Sequence, residues 1–226
     1  EQQIARVQNA AIAPLTSSTT LSALTTLEKL CHTFGLSEFE RQVLLLCVGM
    51  ELDQTFATLC AEAQGDERKP YPTFDLALAA FPHPHWSALT PKSPLRHWRL
   101  IEIGVGQTLT LSPLRIDEWV LHYLTCTDCC DDRLTGMIHP VLDQPTLVPS
   151  HQSLATQVAA LWRQDSTDCP IIQLYGQDAS KQAIAAAACE QLEWQLYTLS
   201  ALVLPTQTAD LHSLIVLWKR EAALCS

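Results

Sequence analysis

Pro140, Pro145 and Pro149 fall within ten residues of one another. A proline fixes φ and carries no N–H, so neither a helix interior nor an inner strand passes through such a stretch. Residues 137–149 therefore read as a linker, and the chain divides into two pieces. Its 226 residues suffice for two small domains. Hydrophobic residues make up 47% and charged residues 17%, enough apolar material for two cores.

Before the linker the apolar spacing is helical. Residues 1–20 form an opening segment that ends in the Thr16–Thr20 hydroxyl run. Leu24, Leu27, Leu30, Cys31 and Phe34 then recur at three- and four-residue steps, and Gly35 is a natural stop. Ser37-Glu38-Phe39-Glu40 is a capping box. The helix it opens is expected to reach Val48 and end at Gly49. Asp53 reads as the next N-cap, with Phe56, Leu59 and Cys60 on one face. Thr73 caps a short helix over Phe74–Phe81. The period then changes. Arg99–Ile103 and Gln107–Leu111 alternate on either side of Gly104-Val105-Gly106, a hairpin signal. Asp117 caps a helix from Glu118 to about Thr125 that buries Trp119, Val120, Tyr123 and Leu124. Short helices, a hairpin and a final helix outline a winged-helix-like domain over residues 21–136.

After the linker the order is helix, strand, turn, helix, strand, helix. Ser150 reads as the cap of a helix with Leu154, Val158, Leu161 and Trp162 on one side. Pro170–Tyr175 is expected as a buried strand, Ser180–Leu192 as an alanine-rich helix and Trp194–Leu199 as a second strand. Asp210–Leu224 closes the order, with Leu211, Leu214, Ile215 and Trp218 inward. Strands alternating with helices predict a parallel sheet. Two strands alone do not make a stable sheet, so residues 150–226 read as a unit cut short at Ser226. The chain also opens at Glu1 without methionine, and is expected to be a piece of a longer protein. The fold class is mixed: a mainly α winged-helix-like domain with a small β-hairpin, then an incomplete α/β module of P-loop type.

That module holds the candidate nucleotide-binding residues Gly176, Ser180, Lys181 and Gln182. A phosphate loop lies between strand and helix, where backbone N–H groups cradle the phosphates, a lysine reaches the outer ones and the next hydroxyl holds Mg²⁺. The place is right and the details are not. Lys181 follows Gly176 by five positions rather than six, Ser180 stands for the second glycine, Gln182 replaces the hydroxyl, and Asp178 adds negative charge. An ordinary capped β-to-α turn competes with residual nucleotide binding. No strand ending in paired carboxylates follows, so no catalytic residue is assigned.

Other constellations are weaker. Cys126, Cys129 and Cys130 have a spacing that suits zinc, with His122 one turn earlier and His139 later, but no second Cys pair completes four ligands. Chance cysteines at a helix end are the simpler reading. His83-Pro84-His85-Trp86 is expected as a rigid turn with Trp86 inserted in the core, rather than a metal loop. Nine scattered cysteines, including Cys31, Cys47, Cys60 and Cys189 on apolar helix faces, fit a reducing compartment better than a disulfide framework.

The net charge is −10, with 10 Lys and Arg against 17 Asp and Glu in residues 1–150, and 4 against 7 in the rest. Nucleic-acid binders draw affinity from basic surfaces. The only local positive cluster is Arg96, His97 and Arg99, so the hairpin is expected to touch protein rather than DNA. The exposed face of Trp98 or of the Trp119 helix is the expected contact. No apolar run approaches the ~18 residues of a membrane span, and a cytoplasmic protein is expected.

Phe34-Gly-Leu-Ser-Glu-Phe-Glu-Arg-Gln-Val-Leu-Leu-Leu-Cys47, with Glu51-Leu-Asp53, Ser93-Pro-Leu-Arg96, Arg99–Ile103 and Leu114-Arg-Ile-Asp117, resembles the winged-helix domain of a family of large bacterial AAA+ ATPases. Members are found with contractile injection systems, among other contexts. The resemblance covers about Leu21–Val141. Residues 150–226 resemble the opening of the family's first AAA+ module, whose phosphate loop is eroded. It implies a remodelling ATPase in the full-length protein, with ATP and Mg²⁺ acting in a later module, a hexameric assembly and protein partners at the winged-helix domain. It implies no activity and no required cofactor for this piece. A winged-helix regulator that binds DNA and a zinc-stabilised interaction module are the alternatives.

Overall fold

The computed structural model describes residues 20–106, 108–125, 131–142, 146–163, 170–176 and 180–224. The readings made on residues 1–19, Gln107, Cys126, Cys129, Cys130, Pro145 and Asp178 lie outside that set. The described residues form two compact units, 20–133 with 212–224, and 134–211.

The first unit opens with α1 (Thr20–Phe34) and α2 (Glu38–Leu52). The capping box is present as read. The Ser37 hydroxyl accepts the Glu40 N–H at 3.2 Å, and Glu40 Oε2 accepts the Ser37 N–H at 2.9 Å. Every residue from Val43 to Gly49 is buried, so α2 is the central helix of the unit. It does not stop at Gly49 but runs on to Leu52. A mid-helix glycine costs only about 1 kcal/mol, and here its missing side chain makes room. A Cβ on Gly49 would lie 2.3 Å from Cε1 of Phe56. Phe56 belongs to α3 (Thr55–Gln64) and is fully buried.

Next come α4 (Phe74–Ala80), capped by Thr73, a 3-10 turn over Trp86–Leu89, and α5 (Pro94–His97). Trp86 is not in the core; it is 68% exposed. Phe81, Ala88 and Leu89 fill the inward positions instead. His85 docks against Phe39, ring centroids 5.3 Å apart, with Nε2 2.9 Å from the Ser37 hydroxyl.

A hairpin follows, but its second strand is not Gln107–Leu111. β1 (Ile101–Ile103) pairs antiparallel with β2 (Leu114–Ile116), Ile101 opposite Ile116 and Ile103 opposite Leu114. Thr108–Leu111 is a turn, tied by Ser112 Oγ donating to Thr108 O at 2.7 Å and by the Asp75 N–H donating to Thr110 O. Burial decides the register: Leu114 and Ile116 both face the core. The unit continues into α6 (Glu118–Leu124), capped by Asp117 as expected. Leu27, Leu30, Phe39, Phe74, Leu95 and Leu100 are among the side chains of its single core.

In the second unit β3 (Ile138–Pro140) pairs antiparallel with β4 (Tyr197–Leu199). Residues read as linker therefore supply an edge strand, and Pro140 sits at its end, where a missing donor is tolerated. Pro149, not Ser150, marks the start of α7 (Pro149–Trp162); it holds the first helical turn, where no N–H is needed. α7 packs on α8 (Ser180–Glu190) through Ala155, Val158, Ala159, Ile184 and Ala188. The small side chains carry the contact, so Leu154 and Leu161 stay exposed, against expectation.

The expected parallel sheet is not seen among the described residues; both sheets are two-stranded and antiparallel. Pro170–Tyr175 is extended but is no strand. Ile172 and Leu174 pack on the α7–α8 core, whereas Ile171 and Tyr175 point outward. β4, which a crossover would have set beside it, has its ladder taken by β3, extended by the Val141 N–H donating to Leu196 O.

The last helix, α9 (Thr208–Leu224), enters the first unit from residue 212 on. Its buried side is Leu214, Val216, Leu217, Arg220, Glu221 and Leu224. Ile215, expected inward, is 42% exposed. No helix among the described residues is long and apolar enough to cross a membrane.

Cys47, Cys60 and Cys189 are buried, in keeping with small hydrophobes. Burial pushes the Cys60 thiol up to about 12 and raises Cys47 as well. Iodoacetamide at mildly alkaline pH is expected to leave Cys47 and Cys60 unmodified in the native chain and to label both after denaturation. Peptide mass mapping checks it.

Candidate functional site

Of the four candidate residues, Gly176 and Lys181 are in contact, while residues 177–179 lie outside the described set. Gly176 has φ +145°, a region that favours glycine. Ser180 opens α8 and Lys181 follows it. The Lys181 ammonium donates to Gly176 O at 2.5 Å, so it is turned onto the loop's own carbonyl. Gln182 is exposed on the next position. In this arrangement the lysine is engaged by the chain itself, Gln182 offers no hydroxyl, and residues 170–176 belong to no sheet.

The hairpin forms the second candidate. Its tip carries Val105, fully exposed, with Leu109 42% exposed nearby. No Lys or Arg lies between Ile103 and Leu114. The basic cluster at its root is spoken for. Arg96 Nη1 donates to Leu89 O at 2.5 Å, and Arg99 Nη2 donates to the Ser213 hydroxyl at 2.5 Å. His97 packs edge-on against Trp98, whose other neighbour is Phe34, 4.9 Å between centroids. Trp119 is buried, as its place on the helix predicts, and is only 4% exposed. It stacks on Tyr123 and lies under the Arg220 guanidinium, 4.6 Å from the ring centroid.

That guanidinium heads a buried charge cluster the sequence reading missed. Arg220 is inaccessible to solvent. Its Nη2 lies 2.6 Å from Asp131 Oδ2, and its Nη1 lies 3.2 Å from Asp117 Oδ1 and 2.8 Å from Arg99 O. Arg133 bonds both carboxylates, 2.8 Å to each. Glu221 accepts the Asp131 N–H at 3.1 Å. A signal existed: Leu214, Leu217, Arg220/Glu221 and Leu224 lie on one helical stripe. An arginine on an apolar stripe calls for buried acidic partners.

Burial works to raise the pKa of Asp131, but the Arg133 guanidinium and N–H, with Arg220, outweigh it and hold the carboxyl below its ordinary 3.8. A depressed carboxyl stabilises the fold at pH values above its unfolded pKa and loses that contribution as pH falls through the folded one. Acid titration followed by tryptophan fluorescence is therefore expected to show destabilisation beginning below about pH 4, and Asp131→Asn should flatten that limb.

Among the described residues no group of three or more His, Cys, Asp and Glu side chains is arranged to hold a metal. Cys126, Cys129 and Cys130 lie outside the described residues. His122 reaches Glu118 Oε1 at 3.9 Å, and His139 sits in β3 opposite Thr198.

Comparison with curated proteins finds no match, and comparison with solved structures finds none. A family model, described as winged helix domain, variant, matches residues 1–138. That span contains α1 to α6 and the hairpin with its uncharged tip, and on it the chain belongs to the winged helix domain (variant) family.

Proposed function

We propose that the winged-helix unit is a protein-docking module, and that the chain is the N-terminal region of an AAA+ ATPase that remodels or docks proteins. The observation that carries the first part is the hairpin tip: Val105 is fully exposed and uncharged, while Arg96 and Arg99 are bonded within the protein. A duplex reader needs free cations along its contact face. An apolar tip instead offers area to an apolar partner.

The second part rests on the sequence resemblance. In this reading the chain from residue 150, apart from the part of α9 that joins the first unit, opens an eroded nucleotide-binding module, and ATP with Mg²⁺ acts in a later module of a hexameric protein. Lys181 bonded to Gly176 O fits a turn kept for architecture.

A photoreactive amino acid at position 105, used in cells, is expected to give a discrete protein adduct that the same residue at exposed Glu67 does not give. A nucleic-acid adduct instead, or a salt-sensitive duplex shift lost with Arg96→Ala and Arg99→Ala, would replace docking with DNA binding. Mg²⁺-dependent ATP turnover by this chain, abolished by Lys181→Ala, would refute the assignment of hydrolysis to another module.

A further inference from the structure

The seat of α9 on the first unit has the chemistry of a receptor. Its acidic groups are held by the unit's own elements. Asp117 caps α6 through the Val120 N–H, and Asp131 is bonded by the side chain and N–H of Arg133. The Trp119 ring and the Arg99 carbonyl complete the lining. The occupant comes from far along the chain, after the separate unit 134–211. Arg220 is its buried anchor, Glu221 takes the Asp131 N–H, Leu224 enters the core, and Lys29 Nζ donates to Leu224 O at 2.9 Å. Arg99, at the root of the hairpin, holds a strained φ of +51° while its side chain and carbonyl both bond α9.

A contact meant only for stability is better made from apolar groups, because desolvating charges costs about as much as their attraction returns. Charge read at a preorganised seat gives discrimination between helices. We infer that the groove around Trp119, Asp117 and Asp131 is a recognition site for an amphipathic helix of the pattern Leu-x-x-Arg-Glu-x-x-Leu, and that α9 is its built-in occupant, exchangeable for a partner helix with that pattern. This deepens the docking reading of the unit, but it concerns a site apart from the hairpin tip, so either can fail while the other stands.

The test uses the whole chain with a protease site introduced at Pro205–Gln207. After folding and cleavage, α9 is expected to stay bound and co-elute. A fluorescent peptide of residues 208–224 should then replace it, and the same peptide with Arg220→Ala should compete about a hundredfold less well. Hydrogen exchange at Val43–Val48 reports whether the unit stays folded throughout. Loss of protection there on cleavage, or no uptake of the wild-type peptide, makes α9 ordinary core and overturns the inference. Equal binding of the two peptides overturns the arginine reading. In the uncut chain, Arg220→Ala should speed exchange across α9 more than across α2; equal acceleration counts against an exchangeable helix.

Discussion

Arg220→Ala is expected to lower the unfolding free energy of the first unit by about 3–5 kcal/mol in a urea titration. The loss has two sources. The guanidinium's bonds to Asp117, Asp131 and the Arg99 carbonyl disappear. Two carboxylates with 2% exposed side chains then have Arg133, itself 40% exposed, as their guanidinium partner. Truncating one member of a buried cluster strands the others, and that exceeds the modest net value of the intact cluster. Pairing Arg220→Met with Asp131→Asn should therefore recover part of the loss, since it restores apolar volume beside Trp119 and removes a stranded charge. If Arg220→Ala costs less than about 1 kcal/mol, the range of an exposed pair, the cluster does not hold α9.

Phe56→Ala is expected to cost about 3–5 kcal/mol, as for a fully buried aromatic ring whose site cannot collapse. Its counterpart is Gly49→Ala. The added methyl would meet the Phe56 ring at 2.3–2.7 Å, far inside contact distance, so about 1–3 kcal/mol is expected despite alanine's better helix propensity. The combination should cost clearly less than the sum, because the cavity left by the ring accepts the methyl. Additive losses, measured by thermal and denaturant unfolding of all three variants, would contradict the ring-over-glycine packing.

These two sites show how far local pattern carries. Caps were legible because they are chemical and local: Ser37 with Glu40, Thr73 and Asp117 each do what their spacing predicts. Gly49 was misread as a stop, because the sequence does not reveal that Phe56 will lie over it. The hairpin was legible and its second strand was not. Thr108–Leu111 has suitable alternation, but Leu114 and Ile116 bury, and burial outweighs alternation on a strand of three residues. The rigid proline turn around His83 does not carry Trp86 inward, because Phe81, Ala88 and Leu89 fill that side.

Two of the three prolines follow the same logic. Pro140 ends an edge strand and Pro149 opens a helix, both positions that need no donor. Sequence alone determined that neither Pro140 nor Pro149 stands inside a helix or an inner strand, where α2, α4 and α6 begin (though not α3, whose N-cap is Gln54 and not Asp53), and that a hairpin follows the short helices, because dihedral limits and capping bonds act over three or four residues. Only the tertiary structure decided that residues near Pro140 pair with β4, that Pro170–Tyr175 has no ladder, and that α9 returns to cover Trp119. Those outcomes depend on which distant surface competes best for each strand edge and apolar face, and on a charge cluster whose members lie about ninety residues apart.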